Sequence, residues 1–93
     1  MVDTTAEQEL ARHLAPRIKK AIKESGRPYE SIGDEIGVSK PAVSKWTIKG
    51  QIKMAYLCRL AVATNKPMAW FFPGYDEAHA DSDADHLDGL VKT

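Results

Sequence analysis

With 93 residues, a hydrophobic share of 43% and only six glycines and five prolines, the chain has the composition of one small globular domain rather than of a disordered or collagen-like segment. Its lone cysteine, Cys58, excludes an intrachain disulfide, and no Cys/His spacing suits structural zinc. Asp3, Glu7 and Glu9 stand where a signal peptide would carry bases, and no apolar run is long enough for a span, so a cytoplasmic, soluble protein is expected.

Thirteen bases and thirteen acids cancel overall, but not locally. Residues 1–9 hold three acids and no base, and residues 75–93 hold six acids against Lys92. Residues 10–74 hold twelve Lys and Arg against four acids. A basic domain between acidic ends is the footprint of a polyanion binder, since lysines and arginines displace counterions condensed on phosphates. The same charge on many proteins is simply a solvated face.

In chain order, Thr4 or Thr5 can cap a short N-terminal helix, with Glu7 or Gln8 completing a capping box and Leu10 and Leu14 on one face. Pro16 lacks a donor and crowds the turn before it, so a new helix or a kink is predicted there. Ile18, Ala21 and Ile22 then repeat at helical spacing up to Gly26, with Lys19, Lys20 and Lys23 on the other side. Tyr29 to Ile36 reads as a helix of two turns carrying Ile32 and Ile36 inward, broken by Gly37. Ser39 caps the next helix, which places Val43 and Trp46 three apart and ends around Lys49-Gly50. A further helix runs from about Lys53 to Thr64, with Asn65 in the closing left-handed position. Pro67 to Phe72 reads as a short apolar last helix stopped by Pro73-Gly74. No strand and no repeat is predicted, and the polar run after Tyr75 reads as a mobile acidic tail.

Two short helices joined by a glycine turn satisfy the geometry of a helix-turn-helix: Gly33 at the close approach, Gly37 in the turn, and Ile32, Ile36, Val38, Val43 and Trp46 inward. The run Ile32-Gly33-(2)-Ile36-Gly37-Val38-Ser39-(3)-Val43-Ser44-Lys45-Trp46 resembles the phage repressor and Cro family, also called XRE or lambda-repressor-like. The segment Arg17-Ile18 through Gly26 resembles that family's first helix. Ala69-Trp70-Phe71-Phe72-Pro73-Gly74 resembles its aromatic ending, so about residues 14–74 are covered.

The resemblance implies an all-α, five-helix lambda-repressor-like domain over 14–74, with an N-terminal helical extension at 1–13 and an acidic flexible tail at 75–93. It implies a sequence-specific regulator of transcription, a Cro-like repressor that binds a palindromic double-stranded DNA operator as a homodimer. Lys40, Pro41, Ser44 and Lys45 fall at the family's base-reading positions. Lysine can donate to guanine O6/N7, and Pro41 with Ala42 offers an apolar surface to a thymine methyl. Arg17, Tyr29, Ser39, Lys49 and Lys53 are the candidates for phosphate contact.

The chain departs from the family pattern at Tyr29, often glutamine there, and at Pro41, which removes a first-turn amide. Thr47 and Ile22 together stand where the family has an ion pair.

Of the aromatic run Trp70-Phe71-Phe72, at least two rings are expected in the core, while Phe72 and Met68 are the candidates for a dimer surface. Asp81, Asp83 and Asp85 resemble a calcium loop only superficially, because His86 replaces its glycine and Lys92 its closing acid. No metal, cofactor or catalytic residue is expected: His13, His79 and His86 lie in the terminal regions and no phosphate loop or nucleophile elbow occurs. The alternative reading is an antitoxin or protein-interaction module, its acidic tail wrapping a protein partner and DNA binding secondary.

Overall fold

The computed structural model describes residues 4–76, with side chains from residue 6 onward; the capping side chains expected at Thr4 or Thr5 and the tail beyond Asp76 lie outside what it describes. The described residues form α1 (Thr4–Ser25), α2 (Tyr29–Ile36), α3 (Lys40–Lys49), α4 (Met54–Ala63) and a 3-10 turn (Met68–Phe71), with no strand among them. None of these helices is long and apolar enough to cross a membrane.

Helix α1 runs on through Pro16, so no new helix begins there. Leu10, Leu14, Ile18 and Ile22 repeat every four residues, and this stripe keeps its register straight through the proline, which sits on the exposed side. Leu14 before it, and Ile18, Ala21 and Ile22 after it, are all buried in one core. Proline forfeits one helical hydrogen bond, whereas each fully buried Leu or Ile contributes about 1.5–3 kcal/mol, so packing on both sides outweighs the local penalty. The boundary expected between residues 13 and 14 therefore falls inside a single helix, and the N-terminal extension is the first turns of α1.

The core is filled by Ile18, Ile22, Ile32, Ile36, Val43, Leu57, Leu60 and Phe71, with Trp46 and Trp70 at its margins. Helix α1 packs on α3, α2 packs on α3 and α4, and the 3-10 turn closes against α1 and α4. The predicted last helix shortens to that turn because Pro73 disfavours helical backbone at Phe72, which is extended (φ −100°, ψ 156°).

Arginine side chains close the seams. Arg17 donates twice to the Trp70 carbonyl, once at 2.9 Å, pairs with Asp76 at 3.2 Å, and lies 4.1 Å from the centroid of the Trp70 ring. Lys66 approaches the same ring at 4.6 Å while pairing with Glu24 at 2.6 Å. That bond and the positive charge of Lys66 hold the Glu24 carboxyl below the ordinary glutamate range, against a smaller opposing effect of desolvation. Arg27 donates to Ser31, to Glu35 and to the Ala63 carbonyl, which ties α2 to the end of α4. Arg59 donates to the Ile36 carbonyl at 3.1 Å, satisfying an acceptor at the end of α2.

Candidate nucleic-acid interface

Helix α3 is fixed at both ends by close backbone approaches. At its entry Gly37 takes the left-handed conformation (φ 95°), and the amides of Gly37 and Val38 both donate to the Gly33 carbonyl, at 2.7 and 2.9 Å. The turn passes so close over α2 that a Cβ on Gly33 would stand 2.6 Å from the Val38 carbonyl oxygen. Ser39 caps α3, its hydroxyl accepting from the Ala42 amide at 3.3 Å. At the exit Gly50 is again left-handed (φ 68°), and a Cβ there would meet the Ala11 carbonyl oxygen at 1.9 Å. Glycine is thus required at 33 for space, and at 50 for both space and conformation.

Between these two seats, Val43 and Trp46 turn inward, Trp46 tilting against Tyr56 with centroids 5.9 Å apart. Pro41, Ser44, Lys45 and Ile48 fall at i, i+3, i+4 and i+7, a single outward row. Lys40 and Lys49 flank its ends, and α3 contains no acidic residue. Lys40, Pro41 and Lys45 are exposed and Ser44 is half-buried, so the expected reading residues share one accessible surface. Ala42 is half-buried on the inner edge, away from its expected pairing with Pro41. The row also contains a residue that sequence reasoning passed over: Ile48, 72% exposed. Its spacing from Pro41 already placed it there, but an apolar residue in a helix is ordinarily counted toward the core.

The five expected backbone contacts divide. Lys49 and Lys53 are exposed, and the ammonium group of neither has a hydrogen-bond or ion-pair partner among the described residues; the Lys53 carbonyl accepts from the Leu57 amide at 2.9 Å. Ser39 is exposed but its hydroxyl is engaged as the cap. Tyr29 begins α2, half-buried, and lines a groove with Lys19 and Lys23, two bases that the sequence reading left on the outer side of α1. Arg17 is set apart from these: its guanidinium is engaged by Trp70 and Asp76 in the closing seam, and its side chain is only 13% exposed.

Trp70 and Phe71 are buried, while Met68 and Phe72 are half-buried against the core and keep only part of their surface accessible. The larger exposed apolar surface is on α4, where Met54 (57%), Cys58 and Val62 (76%) follow one another every four residues. No cluster of three His, Cys, Asp or Glu that could hold a metal occurs among the described residues. His13 shares a groove with Arg17 and the segment Phe72–Asp76, and its Nε2 is buried without a hydrogen-bond partner among the described residues. The His79, His86 and Asp81–Asp85 readings lie outside the described residues. No protein-family model, curated protein or solved structure matches the chain.

Proposed function

We propose that the chain is a helix-turn-helix regulator of transcription of the phage repressor and Cro type, a five-helix domain in this scheme. It occupies a palindromic double-stranded DNA operator as a homodimer, with α3 in the major groove. The observation that carries this reading is the outward face of α3, where Lys40, Lys45 and Lys49, their ammonium groups without a partner among the described residues, stand among Pro41, Ser44 and Ile48 on a helix whose two ends are fixed by backbone. Lys40, Ser44 and Lys45 then reach base edges, while Lys49, Lys53 and Tyr29 meet phosphates. Arg17 takes no part.

For the homodimer, accessible apolar surface is the guide. Met68 and Phe72 offer the edge beside the C-terminal turn, and Met54 with Val62 offer the face of α4. Sedimentation of Met68→Glu and Val62→Glu variants, free and on DNA, decides which edge closes the dimer.

The testing experiment is selection of bound duplexes from a random pool, followed by affinity against salt for the winner and a scrambled site. A palindromic winner with half-sites about one helical turn apart and a steep negative salt slope is expected. Failure to enrich any sequence overturns the proposal. It would turn attention to a protein-interaction module, for which Met54, Cys58 and Val62 supply an apolar stripe.

A further inference from the structure

We infer that Ile48 is a specificity-determining residue that reads the C5-methyl group of a pyrimidine in the major groove, a thymine in unmodified DNA. This rests on the DNA-binding reading above and adds a residue and a base preference to it.

The placement carries the argument. Ile48 lies one turn beyond Ser44 and Lys45 and two turns beyond Pro41, in the row that α3 turns outward, and it is 72% exposed. Single exposed apolar residues are ordinary on protein surfaces. What distinguishes Ile48 is its setting: Lys45 and Lys49 flank it, no carboxylate lies on α3, and the inner face of the helix is filled by Val43 and Trp46 without it. Ile48 therefore does nothing for the core. Its apolar branch projects among cations that no acid of the described residues neutralises, and the complementary surface is an apolar spot walled by anions.

Double-stranded DNA supplies that combination in the major groove, where the only apolar group on a base edge is the C5-methyl of thymine, between two rows of phosphates. Cytosine presents hydrogen at the same carbon and 5-methylcytosine presents the methyl. Discrimination by Ile48 therefore follows the methyl group rather than the hydrogen-bonding pattern of the base. Pro41, exposed at the other end of the row, offers a second apolar surface of the same kind. The readout as a whole then combines lysine donors for guanine with apolar contacts for methylated pyrimidines.

The test uses the full chain and the duplex selected from the random pool, with each thymine of one half-site replaced in turn by deoxyuridine. Wild-type protein is expected to lose about four-fold in affinity at one or two positions, the effect of losing one buried carbon. Ile48→Ala is expected to bind the thymine site weaker by a similar factor and to bind the deoxyuridine site no worse than the thymine site, so that the two changes are coupled. Placing 5-methylcytosine at the sensitive position, with guanine opposite, should recover part of the loss relative to cytosine. Because Ile48 is exposed, the variant should melt with wild type, which separates a reading defect from a folding defect.

If a specific site is enriched yet Ile48→Ala keeps the wild-type difference between thymine and deoxyuridine, the role of Ile48 is overturned and the DNA-binding reading stands. If no site is enriched, both are overturned.

Discussion

The seam between α1 and the C-terminal turn and the outward face of α3 draw on the same basic composition and use it in opposite ways. In the seam, Arg17 and Lys66 are neutralised by Asp76 and Glu24 and laid against the Trp70 ring, so positive charge is converted into cohesion. On α3, Lys40, Lys45 and Lys49 meet no acid and no ring among the described residues. The lesson is that counting bases over a domain overstates what is on offer to a polyanion. What matters is which cations the fold has left unspent.

This contrast can be broken or sharpened by substitution. The largest effect belongs to Gly50→Ala, which places a methyl inside contact distance of the α1 backbone at a left-handed residue. It is expected to destabilise by about 3 kcal/mol or more, read as a lower midpoint in denaturant melting. Arg17→Ala opens the seam by removing two bonds to a carbonyl, an ion pair and a ring interaction, for about 2–3 kcal/mol. If Arg17 belongs to the seam alone, DNA affinity measured well below the melting temperature stays at the wild-type value.

The pair Lys49→Ala with Lys53→Ala should behave in the reverse sense, leaving the melting temperature unchanged while flattening the salt slope by about 0.9 for each phosphate that is no longer neutralised. Ser39→Ala removes the cap of α3 and is expected to cost about 1 kcal/mol, seen in the same melting assay. The smallest effect is at Glu24. Its folded pKa is depressed, so the Lys66 bond stabilises the fold above the ordinary carboxylate range and is lost as pH falls through the depressed value. Glu24→Gln should therefore lower the melting temperature slightly at neutral pH and leave it unchanged in strong acid, and salt should shrink the difference because the pair is surface-exposed.

What is legible in the sequence is what is local. Gly26 and Asn65 announce left-handed residues, Gly37 announces a turn, Ser39 announces a cap, and the spacing of Val43 and Trp46 orients α3, because each signal depends on neighbours within a turn or two. Features fixed by partners far along the chain are not legible in this way. Whether Pro16 breaks a helix depends on what Leu14 and Ile18 pack against, and the core decides for continuity. Arg17 reads as a free base because its partners, Trp70 and Asp76, lie more than fifty residues away. Gly50 announces only a helix end, while its close approach to Ala11 depends on how α1 lies across α3. Ile48 is legible by position, yet nothing local marks an exposed isoleucine as different from a buried one.

The two glycine seats of α3 bear on how the domain could be recoded. Main chain rather than outward side chains fixes where the helix begins and ends, so positions 40, 41, 44, 45, 48 and 49 carry little architectural duty. A library randomised at those six positions, with Gly33, Ser39, Val43, Trp46 and Gly50 kept, should consist mostly of folded members. Such a scaffold separates the alphabet from the page, and new target preferences could be sought on it without redesigning what holds it together.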